Sequence, residues 1–97
     1  MRMTMACIDD IPYEIMLKGT TPVESEAFIR ERCDEVYHVE GGYTIRGVLL
    51  KGASLPIGVK GDEILFVYIK PCFGLFVLRL PDAADEIAKL RSKFKKK

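Results

Sequence analysis

Cys72 has the clearest claim to chemistry in this chain. It stands in Lys70-Pro71-Cys72-Phe73-Gly74, a turn between two apolar runs where the backbone can hold a sulfur at the surface. Lys70, two residues back, favours the thiolate by charge, and the thiolate is the reactive form of cysteine. Against this, free cysteine is among the most buried residue types, so a packed thiol is the commoner state. No second cysteine stands nearby, and His38, the single histidine, serves as a general base only if the fold brings it across. Lys70, Pro71, Cys72 and Gly74 form the candidate binding set, with Cys72 as the candidate nucleophile of a thiol-dependent enzyme or carrier.

Carboxylates suggest a second chemistry. They come in pairs at Asp9-Asp10, Asp34-Glu35 and Asp62-Glu63, with Glu40 close to the middle pair. Asp34-Glu35 and Asp62-Glu63 each precede an apolar run that reads as a strand. If those strands run parallel, the four acids gather at one end of a sheet and offer oxygen ligands to a hard cation such as calcium. No twelve-residue calcium loop is present, and acids at strand entries are ordinarily solvated. The three cysteines, Cys7, Cys33 and Cys72, lack the close pairing of a zinc site, even with His38 added. Gly41-Gly42 leads into a strand rather than a helix, and no P-loop lysine follows it. Tyr37 and Tyr43 are placed to stack across a hairpin, which stabilises sheets more often than it reads bases.

The elements that must position these residues follow from periodicity and breakers. Tyr13 to Lys18 alternates as a strand that Gly19 ends. Thr21-Pro22-Val23-Glu24 is a helix start with a cap, a proline at the first position and a glutamate to close a capping box. The helix runs to Arg32 or Cys33, with Val23 and Ala27 stacked towards the core, Phe28 or Ile29 widening the stripe, and a Glu26–Arg30 pair outside. Glu35 to Val39 and Tyr43 to Leu50 read as a hairpin about Glu40-Gly41-Gly42. Gly47 marks a bulge or a close approach. Lys51 to Lys60 reads as a loop, with a short edge piece at Pro56 to Val59. Ile64 to Ile69 and Leu75 to Leu80 are near-continuous apolar runs, as in central strands covered on both faces by helices or by a partner subunit. Asp82 caps a last helix whose stripe is Ala83, Ile87, Leu90 and Phe94. The order β-α-β-β-(β)-β-β-α specifies an α+β fold, a two-layer sandwich with a mainly antiparallel sheet.

Length and charge set the outer bounds. The 97 residues suit one domain over 1–97, with 1–10 as a flexible lead and 93–97 as a basic tail. Residues of the apolar set make up 48% and charged residues 30%, which excludes wholesale disorder. All 14 acidic residues lie at or before Glu86, and six basic residues follow it. An acidic body with a basic tail lacks the domain-wide positive field of nucleic-acid binders, and lysines at a helix end suit its dipole. The run Ile64 to Leu80 contains Lys70, Pro71 and Arg79, so it is no membrane span. With no secretory signal legible, the odd set of thiols fits a cytoplasm.

Tyr13-Glu14-Ile15-x-Leu17-Lys18, Pro56-Ile57-Gly58-Val59 and Lys70-Pro71-Cys72-x-Gly74-x-Phe76-Val77-Leu78 together resemble a small family of uncharacterised proteins from methanogenic archaea. The resemblance spans nearly the whole chain and carries no motif specific to a chemistry. It implies a compact α+β protein of the cytoplasm with an accessory role linked to methanogenesis, and it transfers no catalytic residue. The expected function is therefore non-enzymatic: a binding or accessory protein that presents the Lys70 to Gly74 turn, or an apolar sheet edge, to a partner protein. Calcium binding at the acidic turns is the alternative, and thiol chemistry at Cys72 a further one. The apolar central strands fit a homodimer and an intramolecular helix layer equally well.

Overall fold

The run Ile64 to Tyr68 is buried without a break, and the rest of the fold is arranged to cover it. The computed structural model describes residues 6–8, 11–70 and 74–94. Among them are β1 (Ala6–Ile8), β2 (Ile11–Lys18), α1 (Pro22–Arg32), β3 (Glu35–Val39), β4 (Thr44–Ile45), β5 (Val48–Leu49), β6 (Leu55–Lys60), β7 (Glu63–Lys70), β8 (Gly74–Leu80) and α2 (Ala84–Lys93). Six strands form one antiparallel sheet in the order β1-β2-β8-β7-β6-β3, and β4 and β5 make a separate two-stranded ribbon. The α+β class with a mainly antiparallel sheet is as the sequence implies. The two apolar runs, β7 and β8, take its centre.

Strand register assigns the faces. Val36 pairs with Gly58 and Gly58 with Leu65, whereas Tyr37 pairs with Ile57 and Ile57 with Phe66. Paired residues share a face and neighbours alternate. A β-carbon on Gly58 would overlap Ile29 and Cys33, so α1 lies on the Gly58 face. Glu35, on the other face with Tyr37, is bonded to Arg91 of α2. One helix thus covers each face, which is why β7 and β8 read as continuous apolar runs. Both sides are covered within the one chain.

Capping decides where α1 begins. Thr21 Oγ1 accepts from the Glu24 amide at 3.1 Å, and Glu24 Oε1 accepts from the Thr21 amide at 3.2 Å, closing the anticipated box. The buried stripe is a correction. Val23 is 78% exposed and Ile29 fully buried, so the sheet-facing row is Ser25 and Ile29 rather than Val23 and Ala27. The two rows lie on nearly opposite sides of a helix turning about 100° per residue. Ser25 tolerates burial because its hydroxyl donates to the Thr21 carbonyl at 2.9 Å and meets Thr20 Oγ1 at 2.8 Å.

The hairpin expected over residues 35–50 is overturned. β3 pairs instead with β6, the segment read as loop from its Pro56 and Gly58. Proline is tolerated at the start of a strand, and pairing of β6 with β7 begins only at Ile57. Gly58 is present because α1 presses onto it, not because the chain turns there. Residues 43–50 fold back on themselves: Arg46 and Gly47 have φ of 51° and 85°, both positive, as a two-residue hairpin turn requires. Asp82 does not cap α2 either. Its own φ is 53°, Ala83 occupies the cap position without a side-chain bond, and the Ala83 amide donates to the Asp62 carbonyl at 2.7 Å. The stripe Ala83, Ile87 and Leu90 is buried as anticipated, with Phe94 packed against the core.

Candidate functional site

The tip of the β7–β8 hairpin keeps part of the candidate set. Lys70 and Gly74 pair across its mouth, and Gly74 has a φ of 106°, which favours glycine. Pro71 and Cys72 lie outside the described residues. Ile69, next to Lys70, is 40% exposed, although the five residues before it are buried.

The acidic pairs share a sheet end but not a site. β3 and β7 are each antiparallel to β6, so they run parallel, and Asp34-Glu35 and Asp62-Glu63 enter from the same side. Glu35 and Glu63 nonetheless point to opposite faces, by the alternation that separates Tyr37 from Val36. Each is held by arginine. Glu35 accepts from Arg91 at 2.7 and 3.2 Å and from the Tyr37 hydroxyl at 2.6 Å, and Glu63 accepts two bonds from Arg79. Among the described residues no group of three or more Asp, Glu, His or Cys side chains is placed to hold a metal.

Among the described residues, Cys33 and His38 are not brought together with the hairpin tip. Cys33 is half-buried, and burial first, then the neighbouring Asp34 charge, pushes its thiol above the ordinary range, away from the reactive thiolate. His38 sits on the edge strand with Nε2 3.1 Å from Glu26 Oε2. The bond from Arg30, then that from His38, holds the Glu26 carboxyl below its usual range.

The strongest cluster is one the sequence reading missed, where the β4–β5 ribbon meets α2. Glu86 is 2% exposed. Its Oε2 accepts from the Arg46 backbone amide at 3.1 Å and lies 3.6 Å from Lys89 Nζ. Its Oε1 is buried with no hydrogen-bond partner among the described residues. The Arg46 guanidinium reaches over α2, donating to the Asp82 carbonyl at 2.6 Å and to Asp85 Oδ1 at 3.2 Å; that bond from Arg46 holds the Asp85 carboxyl below its usual range. Burial, then the Glu86 charge, pushes the Tyr43 hydroxyl up. The expected Tyr37–Tyr43 stack is replaced: both rings pack on Phe94, with centroids 6.2 and 6.0 Å away.

One signal for this cluster was legible. Glu86 falls three residues after Ala83 and four before Leu90, inside the apolar stripe of α2 rather than merely in its first turn. A carboxylate at a stripe position needs a partner, and the turn residue Arg46 supplies an amide.

Fold and sites together define a small α+β protein whose described arginines are each paired with a carboxylate. The chain belongs to the DUF1894 family, a domain of unknown function, whose model matches residues 5–91. It is 38% identical over 87 residues to an uncharacterised protein of the methanogen Methanocaldococcus jannaschii, covering 88% of this chain and 78% of that one. No solved structure matches. Among the described residues no helix is long and apolar enough to cross a membrane.

Proposed function

We propose that this protein is a non-enzymatic binding or accessory protein that offers the Lys70–Gly74 end of the β7–β8 hairpin to a partner protein. The observation that supports this reading is the exposure of Ile69. Ile64 to Tyr68 are buried, yet the next β-branched side chain is 40% exposed beside Lys70 and the glycine that closes the hairpin. An apolar side chain beside a basic one at a hairpin tip suits a partner that brings an apolar pocket rimmed by carboxylate. The methanogen source of the relative supports a setting in methanogenic energy metabolism, in the cytoplasm. The test is affinity capture from a methanogen extract on the wild-type chain and on Ile69→Asp, with thermal melts to show both are folded. A protein retained by the wild type and lost on Ile69→Asp supports the proposal. Identical capture profiles on the two would sink it.

A further inference from the structure

We infer that the groove between the β4–β5 ribbon and the last two turns of α2 binds a small oxyanion carrying a flat apolar body. This stands apart from the hairpin tip and rests on different residues. The groove has a volume of about 470 Å³ and is walled by Tyr43, Thr44, Arg46, Lys89, Ser92 and Lys93. That volume is in the range of small-ligand sites.

Its chemistry has one sign. The charged side chains in its wall are cations, although the chain up to Glu86 carries 9 basic against 14 acidic residues. Neither carboxylate that meets those cations lines the groove. Glu86 is buried under the ribbon, held by the Arg46 amide and Lys89, and Asp85 binds Arg46. Among the described residues, the hydroxyls of Tyr43, Thr44 and Ser92 have no hydrogen-bond partner and the Lys93 ammonium has no carboxylate partner. Ammonium and hydroxyl donors with no carboxylate in the wall are what an oxyanion requires.

The arginine is also fixed in advance. Its backbone is set by the turn, and one guanidinium nitrogen is anchored by the Asp82 carbonyl and Asp85. A ligand therefore orders less side chain on binding than it would at a free surface arginine. Lysines in the last turn of a helix serve its dipole in any case. Arg46 comes from another element, and that makes the wall two-sided.

Beside it lies a second depression of about 340 Å³, which shares Tyr43 and Lys93 and adds Phe94, Val39, the Gly41-Gly42 backbone and one carboxylate, Glu40, at the end away from Arg46 and Lys89. Aromatic rings, an aliphatic side chain and bare glycine backbone offer contact to a planar apolar group. One end is suited to the anion and the other to the body attached to it.

The test is NMR titration of the full chain with inorganic phosphate, adenosine monophosphate, benzoate and uncharged adenosine. The expected result is that one of the two ring-bearing anions shifts amides in 43–47 and 88–94. Phosphate should shift the cationic end alone, and adenosine should bind more weakly than its monophosphate. Arg46→Gln/Lys93→Gln should weaken the better anion about tenfold, equivalent to about 1.4 kcal/mol. Lys93→Gln alone, which leaves the ribbon turn intact, should act in the same direction, and Lys60→Gln on β6 should change nothing. A preference for benzoate over the nucleotide assigns a carboxylate, the reverse a phosphate, and either supports the inference. It is overturned if no probe shifts these amides, or if the shifts spread over all exposed lysines and Lys60→Gln weakens binding as much as Lys93→Gln.

Discussion

Cys33 lies directly over Gly58: a β-carbon added at 58 would overlap the Cys33 sulfur and Cγ2 of Ile29 and come within 2.9 Å of Cys33 Cβ. Helix α1 is seated on the sheet through this contact, with a glycine on the strand side and a small polarisable side chain at the helix end. Gly58→Ala should destabilise the fold by about 1–3 kcal/mol through overpacking, read as a lower urea midpoint at unchanged slope. The double variant Gly58→Ala/Cys33→Ala should recover part of that loss, because the sulfur is removed from the clash while Ile29 remains. Equal stabilities for the single and double variants would place the contact elsewhere. The same seating predicts that Cys33 reacts with iodoacetamide at neutral pH more slowly than a model thiol.

Gly58 also shows why parts of the fold were legible and others were not. Glycine and proline report a local backbone demand or a tertiary one, and a single sequence does not say which. Pro56 and Gly58 read as loop because breakers usually are, whereas Gly58 is small to admit a helix and Pro56 falls before the β6–β7 ladder begins. The strands β7 and β8 were legible because cover on both faces leaves a continuous apolar run. The capping box at Thr21 was legible because its chemistry is local. The cluster at Glu86 was not, since its partner is a backbone amide 40 residues away, and no side-chain pattern announces an amide. The groove it supports is likewise assembled from residues that are individually ordinary surface types.

Thr21 and Val23 separate local from tertiary contributions within one helix. Thr21→Ala removes the acceptor for the Glu24 amide and should cost about 1 kcal/mol. Val23→Ser, two residues on, should leave stability within about 0.5 kcal/mol, because the side chain is 78% exposed and surface substitutions are usually that small. Thermal melts of the two variants check both. A larger loss for Val23→Ser would mean that its side chain is covered by another molecule in solution.

Tyr37 should make the fold sensitive to alkali. Its hydroxyl donates to Glu35 at 2.6 Å; that bond first, then burial and the carboxylate charge, raises its pKa above the ordinary 10.0. A group whose pKa is raised on folding contributes stability that is fully present below the unfolded value of about 10, and that contribution is lost as pH rises through the folded value. Unfolding free energy should therefore fall with rising pH above about 10, and fall less steeply in Tyr37→Phe. Phenolate absorbance should place Tyr37 among the late-titrating tyrosines of the wild type, together with Tyr43, whose pKa is raised by burial and Glu86. One late tyrosine fewer in Tyr37→Phe agrees with this assignment; an unchanged number would refute it.

Glu86 provides a direct test of what holds the β4–β5 ribbon to α2. One carboxylate oxygen accepts the Arg46 amide, while the other is buried without a partner among the described residues. The first contact stabilises the turn, and the second is a cost already present in the native state. Glu86→Gln keeps an acceptor for the amide and removes a buried charge, so the two changes oppose each other and the net effect should stay below about 1 kcal/mol. Glu86→Ala leaves the Arg46 amide without its acceptor and opens space beside Tyr43, and should cost about 1–3 kcal/mol. Hydrogen exchange distinguishes this from a general loss of packing. The Arg46 amide should exchange faster in Glu86→Ala at protein concentrations and temperatures where the Phe66 and Val77 amides remain protected, and it should stay slow in Glu86→Gln. If Arg46 exchange is unchanged in Glu86→Ala, the ribbon is held by Ile45, Val48 and Leu50 in the core alone. The buried carboxylate would then be a burden that the apolar contacts of α2 offset.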